Sequence, residues 1–194
     1  SIKIQGATNV AIAVAETLRD YAKSLDEVNN RVFIAKIREA GNLLLSARAT
    51  EPMAQNVVEF IECYLNRNCD LPQKELKFVL DQAVGYFLIM VEQNERAIVK
   101  NGARLIKKNE TIFTHCHSSA VVNILIRAHE LGKKIKVAQS ETRPLFQGRK
   151  TAVNLIAAKI NVVHVIDSAQ SFILSGEVDN FKVDKVIIGC DAIS

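Results

Sequence analysis

Three short runs in this 194-residue chain gather side chains that can move protons or hold anions. The first is Thr114-His-Cys-His-Ser-Ser, which sets Cys116 between two imidazoles. A thiol at a helix N-terminus, beside His115 and His117, is stabilised as the thiolate, which can act as a nucleophile or as a proton-abstracting base. A small buried thiol is the plainer alternative. Ser118 is a good helix cap, and Ser118 and Ser119 together make a phosphate cradle of hydroxyls and free N–H groups. The second run is Glu141-Thr-Arg-Pro-Leu-Phe-Gln-Gly-Arg-Lys-Thr-Ala, with an acid, three cations and an amide in its first ten residues. Arg143 and Arg149 suit bidentate grip of a phosphate, Pro144 stiffens the loop and Gly148 permits close backbone approach. The third run, Ile188-Gly-Cys-Asp-Ala-Ile, ends in a carboxyl at the mouth of an apolar strand. Asp191 would keep its proton in such a dry place and serve as a general acid, unless backbone N–H groups simply satisfy it. Cys190 alternates away from Asp191 and is assigned to the core, and Cys63 and Cys69 are expected to be packed in helices.

These runs need elements to carry them. From Glu110 onward, apolar strand-like segments alternate with helical ones. Strands are expected at Thr111–Thr114, Ile135–Gln139, Asn161–Ile166 and Val183–Ile188. Helices are expected at Ser118–Leu131, Gly148–Lys159 and Ser168–Ser175. Such alternation predicts a parallel sheet covered by helices. Ligands of open parallel sheets bind at the carboxyl ends of the strands, where Cys116, Arg143, Asp167 and Asp191 all fall. Residues 1–108 instead repeat apolar positions at helical spacing, as in Val10, Ala13, Val14, Leu18 and Tyr21. Pro52 and Pro72 sit early in a third and a fourth helix. The fourth runs toward Lys107, with a break expected near Asn101-Gly102. The reading is α/β: a helical domain over 1–108, then a parallel-sheet domain over 109–194 that ends without a helix to cover its last strand and so reads as incomplete.

Composition narrows the class. Apolar residues make up 48% and charged residues 24%, which fits a globular chain. The net charge is +4, a mild excess that suits an anionic small ligand. With no Trp and 6% aromatics, stacking platforms for nucleic acid are thin, which argues against direct nucleic-acid binding. No run is apolar and long enough to span a membrane, and the opening residues lack a signal-peptide pattern. Four cysteines are too few for a disulfide scaffold and read as reduced thiols of a cytoplasmic protein. Nucleotide-hydrolase, dehydrogenase and zinc-peptidase motifs are missing.

Taken together and in this order, the three runs resemble a superfamily of sugar-phosphate isomerases that also contains the regulatory subunits of translation initiation factor 2B. Ile4-Gln-Gly-Ala-Thr-Asn-Val and Ala47-Arg-Ala-Thr-Glu-Pro resemble its N-terminal substrate loops. The sheet domain would then be Rossmann-like. The isomerases carry the cysteine and the aspartate kept here as Cys116 and Asp191, which favours the enzyme side, closest to archaeal ribose 1,5-bisphosphate isomerase. The resemblance implies Cys116 as the base and Asp191 as the proton donor to the ring oxygen. Gly6, Ala7, Thr8, Arg48, Ser118 and Ser119 would hold phosphate, Gln5 and Arg143 would contact substrate, and Gln147 would hold sugar hydroxyls. It implies a phosphorylated pentose as substrate, AMP or another nucleotide as a possible effector, a homo-oligomer, and neither metal nor organic cofactor. Gln5-Gly6 stands where the enzymes have Arg-Gly, a trait of the regulatory branch, so a non-catalytic subunit is the alternative. Methylthioribose-1-phosphate isomerase is a further one.

Overall fold

Four helices open the chain: α1 (Ala7–Ser24), α2 (Asn30–Ser46), α3 (Pro52–Arg67) and α4 (Gln73–Leu105). The computed structural model describes residues 4, 6–26, 29–178 and 181–190. Each of the first three helices buries one apolar stripe. In α1 it is Val10, Val14 and Leu18, in α2 Phe33, Ile34 and Ile37, in α3 Val57, Ile61 and Leu65. With Leu76, Leu80 and Phe87 they form one core, which is how short helices gain stability that their isolated sequences lack. Asn29 caps α2 by accepting the Val32 N–H at 2.9 Å, and Pro52 starts α3, where its missing N–H costs nothing.

The break expected at Asn101-Gly102 does not occur; α4 runs unbroken for 33 residues. Gly102 instead answers to packing. A Cβ there would lie 2.6 Å from Ile124 Cδ1, so the missing side chain lets α5 (Ser119–Glu130) approach closely. The described residues up to 93 belong to one compact unit and those from 94 to 190 to another, so the division falls inside α4. Hydrophobic patterning changes near residue 108, but Val99, Ala103 and Ile106 already pack into the core of the second unit.

In that unit four parallel strands, β1 (Thr111–Thr114), β2 (Lys136–Ser140), β3 (Asn161–Val165) and β4 (Lys185–Val186), pair in the order β3-β2-β1-β4. Side-chain alternation splits the sheet into two buried faces. Ile112 and Val137 join α5, α4 and α6 (Gln147–Ala157) through Val121, Leu125, Ala103 and Leu155. Phe113 and Ala138 meet Ile173 of α7 (Gln170–Ser175) on the other side. Burial on both faces holds for the central strands β1 and β2, while β3 and β4 at the edges are half-buried or exposed. The helix expected at Ser168–Ser175 is a 3-10 turn, Asp167–Ala169, followed by α7. The last strand is shorter than its apolar run, because only Lys185 and Val186 pair with β1. The Ile187 N–H still donates to Phe113 O at 2.9 Å. Among the described residues, no helix is long and apolar enough to cross a membrane.

Candidate active site

The strand order makes β1 the turning point of the sheet: β2 and β3 lie to one side and β4 to the other. Crevices for ligands form at such points, outside the carboxyl ends of the strands. Cys116 follows β1 there. On the β4 side, Gly189 lies against Ser118, with a Cβ on Gly189 falling 2.7 Å from Ser118 Cβ.

Cys116 is half-buried and holds a left-handed φ of 63°. Both ends of its backbone are tied to threonine hydroxyls. Its N–H donates to Thr142 Oγ1 at 2.9 Å, and its carbonyl accepts from Thr151 Oγ1 at 2.9 Å. Thr151 has spent its one proton there, so His117 Nδ1, 3.0 Å from the same oxygen, must be the donor. Burial, and then the charge of Lys150, push the pKa of His117 below 6.5. His117 is therefore neutral, and the positive charge expected from it beside Cys116 is missing. His115 Nδ1 lies 2.5 Å from Ser140 Oγ.

The charged run after β2 is folded on itself. Glu141, whose side chain is 8% exposed, accepts Arg143 Nε at 2.9 Å and pairs with an Arg149 nitrogen at 3.6 Å. The two guanidinium groups lie 5.1 Å and 3.9 Å from the ring centre of Phe146, a cation–π arrangement that sequence reasoning missed. Asp167, at the end of β3, accepts the Thr142 N–H at 2.8 Å and the Arg143 N–H at 2.7 Å. The Arg143 amide first, with that of Thr142, holds this carboxyl below its usual range despite some burial. Gly148 closes the loop onto β2.

Ser118 caps α5 with its hydroxyl, accepting the Val121 N–H at 3.4 Å, and Ser119 is exposed in the first turn. Gln147 opens α6 half-buried. The structure thus brings Cys116, Ser118, Ser119, Arg143 and Gln147 to one unit. Gly6, Ala7, Thr8 and Arg48 belong to the other. There, Gly6 precedes α1 with φ 89°, and Ala7 and Thr8 form its first turn. Arg48 pairs with buried Glu51 at 2.5 Å and reaches the Ile4 carbonyl at 3.3 Å. Gln5 and Asp191 lie outside the described residues. The other cysteines correct expectation: Cys63, Cys69 and Cys190 are all exposed. Cys63 misses the apolar stripe of α3, Cys69 lies in the turn after that helix, and Cys190 lies past the paired part of β4, so strand alternation no longer directs it inward. Among the described residues, no three metal-ligating side chains converge.

Residues 3–194 match the initiation factor 2 subunit family. The chain belongs to that family. Among relatives, ribose 1,5-bisphosphate isomerase of Methanocaldococcus jannaschii is 36% identical over 194 residues, all of this chain and 59% of that protein. The enzyme of the same name from Archaeoglobus fulgidus is 30% identical, again over the whole chain and 58% of its own length. The chain therefore spans less than two thirds of these family members. Among solved structures, a translation initiation factor eIF-2B of Pyrococcus horikoshii OT3 superposes with a TM-score of 0.79 at 26% identity, covering 98% of this chain and 62% of that one.

Proposed function

We propose that the protein to which this chain belongs is a sugar-phosphate isomerase that converts ribose 1,5-bisphosphate to ribulose 1,5-bisphosphate. The observation that carries this reading is Cys116 at the turning point of the sheet, bonded through its backbone to the Glu141–Arg149 loop. The named isomerase relatives support it.

The substrate is a closed sugar with phosphate on its anomeric carbon. Cys116, as thiolate, removes the proton from the second carbon. Asp191, as the acid, protonates the ring oxygen as its bond to the first carbon breaks. An enol forms across the first two carbons. Protonation of the first carbon and loss of the hydroxyl proton at the second give the open-chain ketose, so no net atom is gained or lost. Such a route needs opposite protonation states on its two groups at the start. Ser118 and Ser119 at the α5 N-terminus suit phosphate, Arg143 contacts substrate and Gln147 takes sugar hydroxyls. By the resemblance, Gly6, Ala7, Thr8 and Arg48 are assigned to phosphate and Gln5 to substrate.

A regulatory subunit is the second reading, favoured by Gln5 in the place of an arginine. The test is to mix full-length protein with ribose 1,5-bisphosphate and follow the phosphorus NMR spectrum. A ketose bisphosphate should accumulate. Binding of AMP with no turnover would instead support the regulatory reading, and turnover of methylthioribose 1-phosphate alone would move the substrate.

A further inference from the structure

Just past the carboxyl ends of the neighbouring strands β1 and β2, two residues other than glycine hold left-handed backbone, Cys116 at φ 63° and Thr142 at φ 61°. For a β-branched residue such as Thr142 this conformation is costly and persists only where the surroundings enforce it. Asp167 supplies that enforcement by accepting the Thr142 N–H on one carboxylate oxygen and the Arg143 N–H on the other. Bonds of amide donors to a charged acceptor are the stronger kind. So held, Thr142 presents Oγ1 to the Cys116 N–H at 2.9 Å, while its own proton faces the Ser140 carbonyl at 3.4 Å. A run of hydrogen bonds thus leads from the end of β3, through the loop after β2, to the thiol-bearing residue after β1.

We infer that Thr142 is a positioning residue for Cys116, and that Asp167 is the clamp that holds Thr142 to this task. The inference rests on the reading of Cys116 as the base. Thr142 touches the backbone of Cys116 and no reacting atom. Its contribution is the direction in which the thiol leaves a strained backbone, and misplacement of a reacting group by a fraction of an ångström is expensive.

The test uses full-length protein. Thr142→Val keeps the branched shape and removes the acceptor; Thr142→Ser keeps the acceptor. Thr142→Val should lower kcat on ribose 1,5-bisphosphate about tenfold, the scale of one lost hydrogen bond, with KM changed less than about twofold. Thr142→Ser should restore kcat to within about twofold. Peptide-resolved iodoacetamide labelling reads the thiol without turnover. The rate at Cys116 should shift at least about threefold in Thr142→Val, return in Thr142→Ser, and leave exposed Cys190 unchanged. Asp167→Asn should shift Cys116 labelling in the same direction, and it decides the matter if Thr142→Val does not fold. Unchanged labelling or unchanged kcat in Thr142→Val, or a loss that Thr142→Ser does not restore, would overturn the inference. A restorable labelling shift in a protein whose wild type turns over no sugar phosphate would leave the positioning role standing and remove the isomerase reading. Unchanged labelling in an active isomerase would do the reverse.

Discussion

Gly148 lies so close to Ser140 that a Cβ on the glycine would sit 1.9 Å from the Ser140 carbonyl oxygen and 2.3 Å from Gln139 Nε2. The first of these is backbone inside the sheet and cannot swing aside. Gly148→Ala should therefore destabilise by about 2–3 kcal/mol, at the upper end for overpacked sites. At Gly102 the obstacle is the Ile124 side chain, with Cδ1 at 2.6 Å and Cγ1 at 2.8 Å from the new Cβ, and Cγ1 moves only with a χ1 that is stiff for isoleucine in a helix. Against this, alanine favours helix over glycine by about 1 kcal/mol. Gly102→Ala should therefore also destabilise, by about 1 kcal/mol, less than Gly148→Ala because the helix preference offsets part of the overpacking. Denaturant melts of the two variants check the contrast; equal losses would contradict it.

His117 gives stability a pH dependence. Burial, and then Lys150, lower its pKa in the folded protein. As pH falls below the ordinary 6.5, the unfolded chain takes up the proton first, so the folded state loses ground. The stabilisation is whole above about pH 6.5 and is lost as pH drops toward the folded-state value. His117→Asn keeps a donor for Thr151 and cannot titrate. It should flatten the slope of stability between about pH 7 and 5, measured by urea melts.

Asp167 acts at lower pH. The Arg143 amide, then that of Thr142, lower its pKa from the ordinary 3.8. Its contribution is present above that value and fades as pH falls through the folded-state one. Asp167→Asn should be less stable than wild type at neutral pH and lose less on acidification. Parallel acid titrations by circular dichroism would show it; identical acid limbs would not fit.

Much of this arrangement was legible in the chain. The four strand segments, their parallel pairing and the strand-end position of Cys116 follow from apolar runs broken at helical spacing. What escaped lies in contacts distant in sequence. Gly102 looks like a break until Ile124 is known to need its space. Thr142 and Asp167 act through backbone N–H groups across 25 residues, and side-chain chemistry does not advertise that. Phe146 carries no charge, so its place under two guanidinium groups left no mark on the charge pattern. The exposed Cys190 misled because alternation holds only where a strand is paired.

Thiol accessibility now predicts an order of labelling. Cys63, Cys69 and Cys190 are exposed and half-buried Cys116 is not. With iodoacetamide on folded protein, the first three should label readily because they are exposed. Ribose 1,5-bisphosphate should slow labelling at Cys116 and leave Cys63, Cys69 and Cys190 unchanged. Mass spectrometry of the labelled peptides reads each site, and uniform protection or none would count against substrate lying at Cys116.

The most direct measurement compares full-length wild type with Cys116→Ser on ribose 1,5-bisphosphate in deuterium oxide, following both ketose formation and exchange of the proton on the second carbon. A serine hydroxyl is far too weak an acid to be the base at neutral pH. The variant should lose roughly a hundredfold to ten-thousandfold in both rates, the range for a positioned general base, while binding of the bisphosphate by calorimetry stays within about twofold. Ketose formation and proton exchange at near wild-type rates in Cys116→Ser would contradict the assignment of Cys116 as the base.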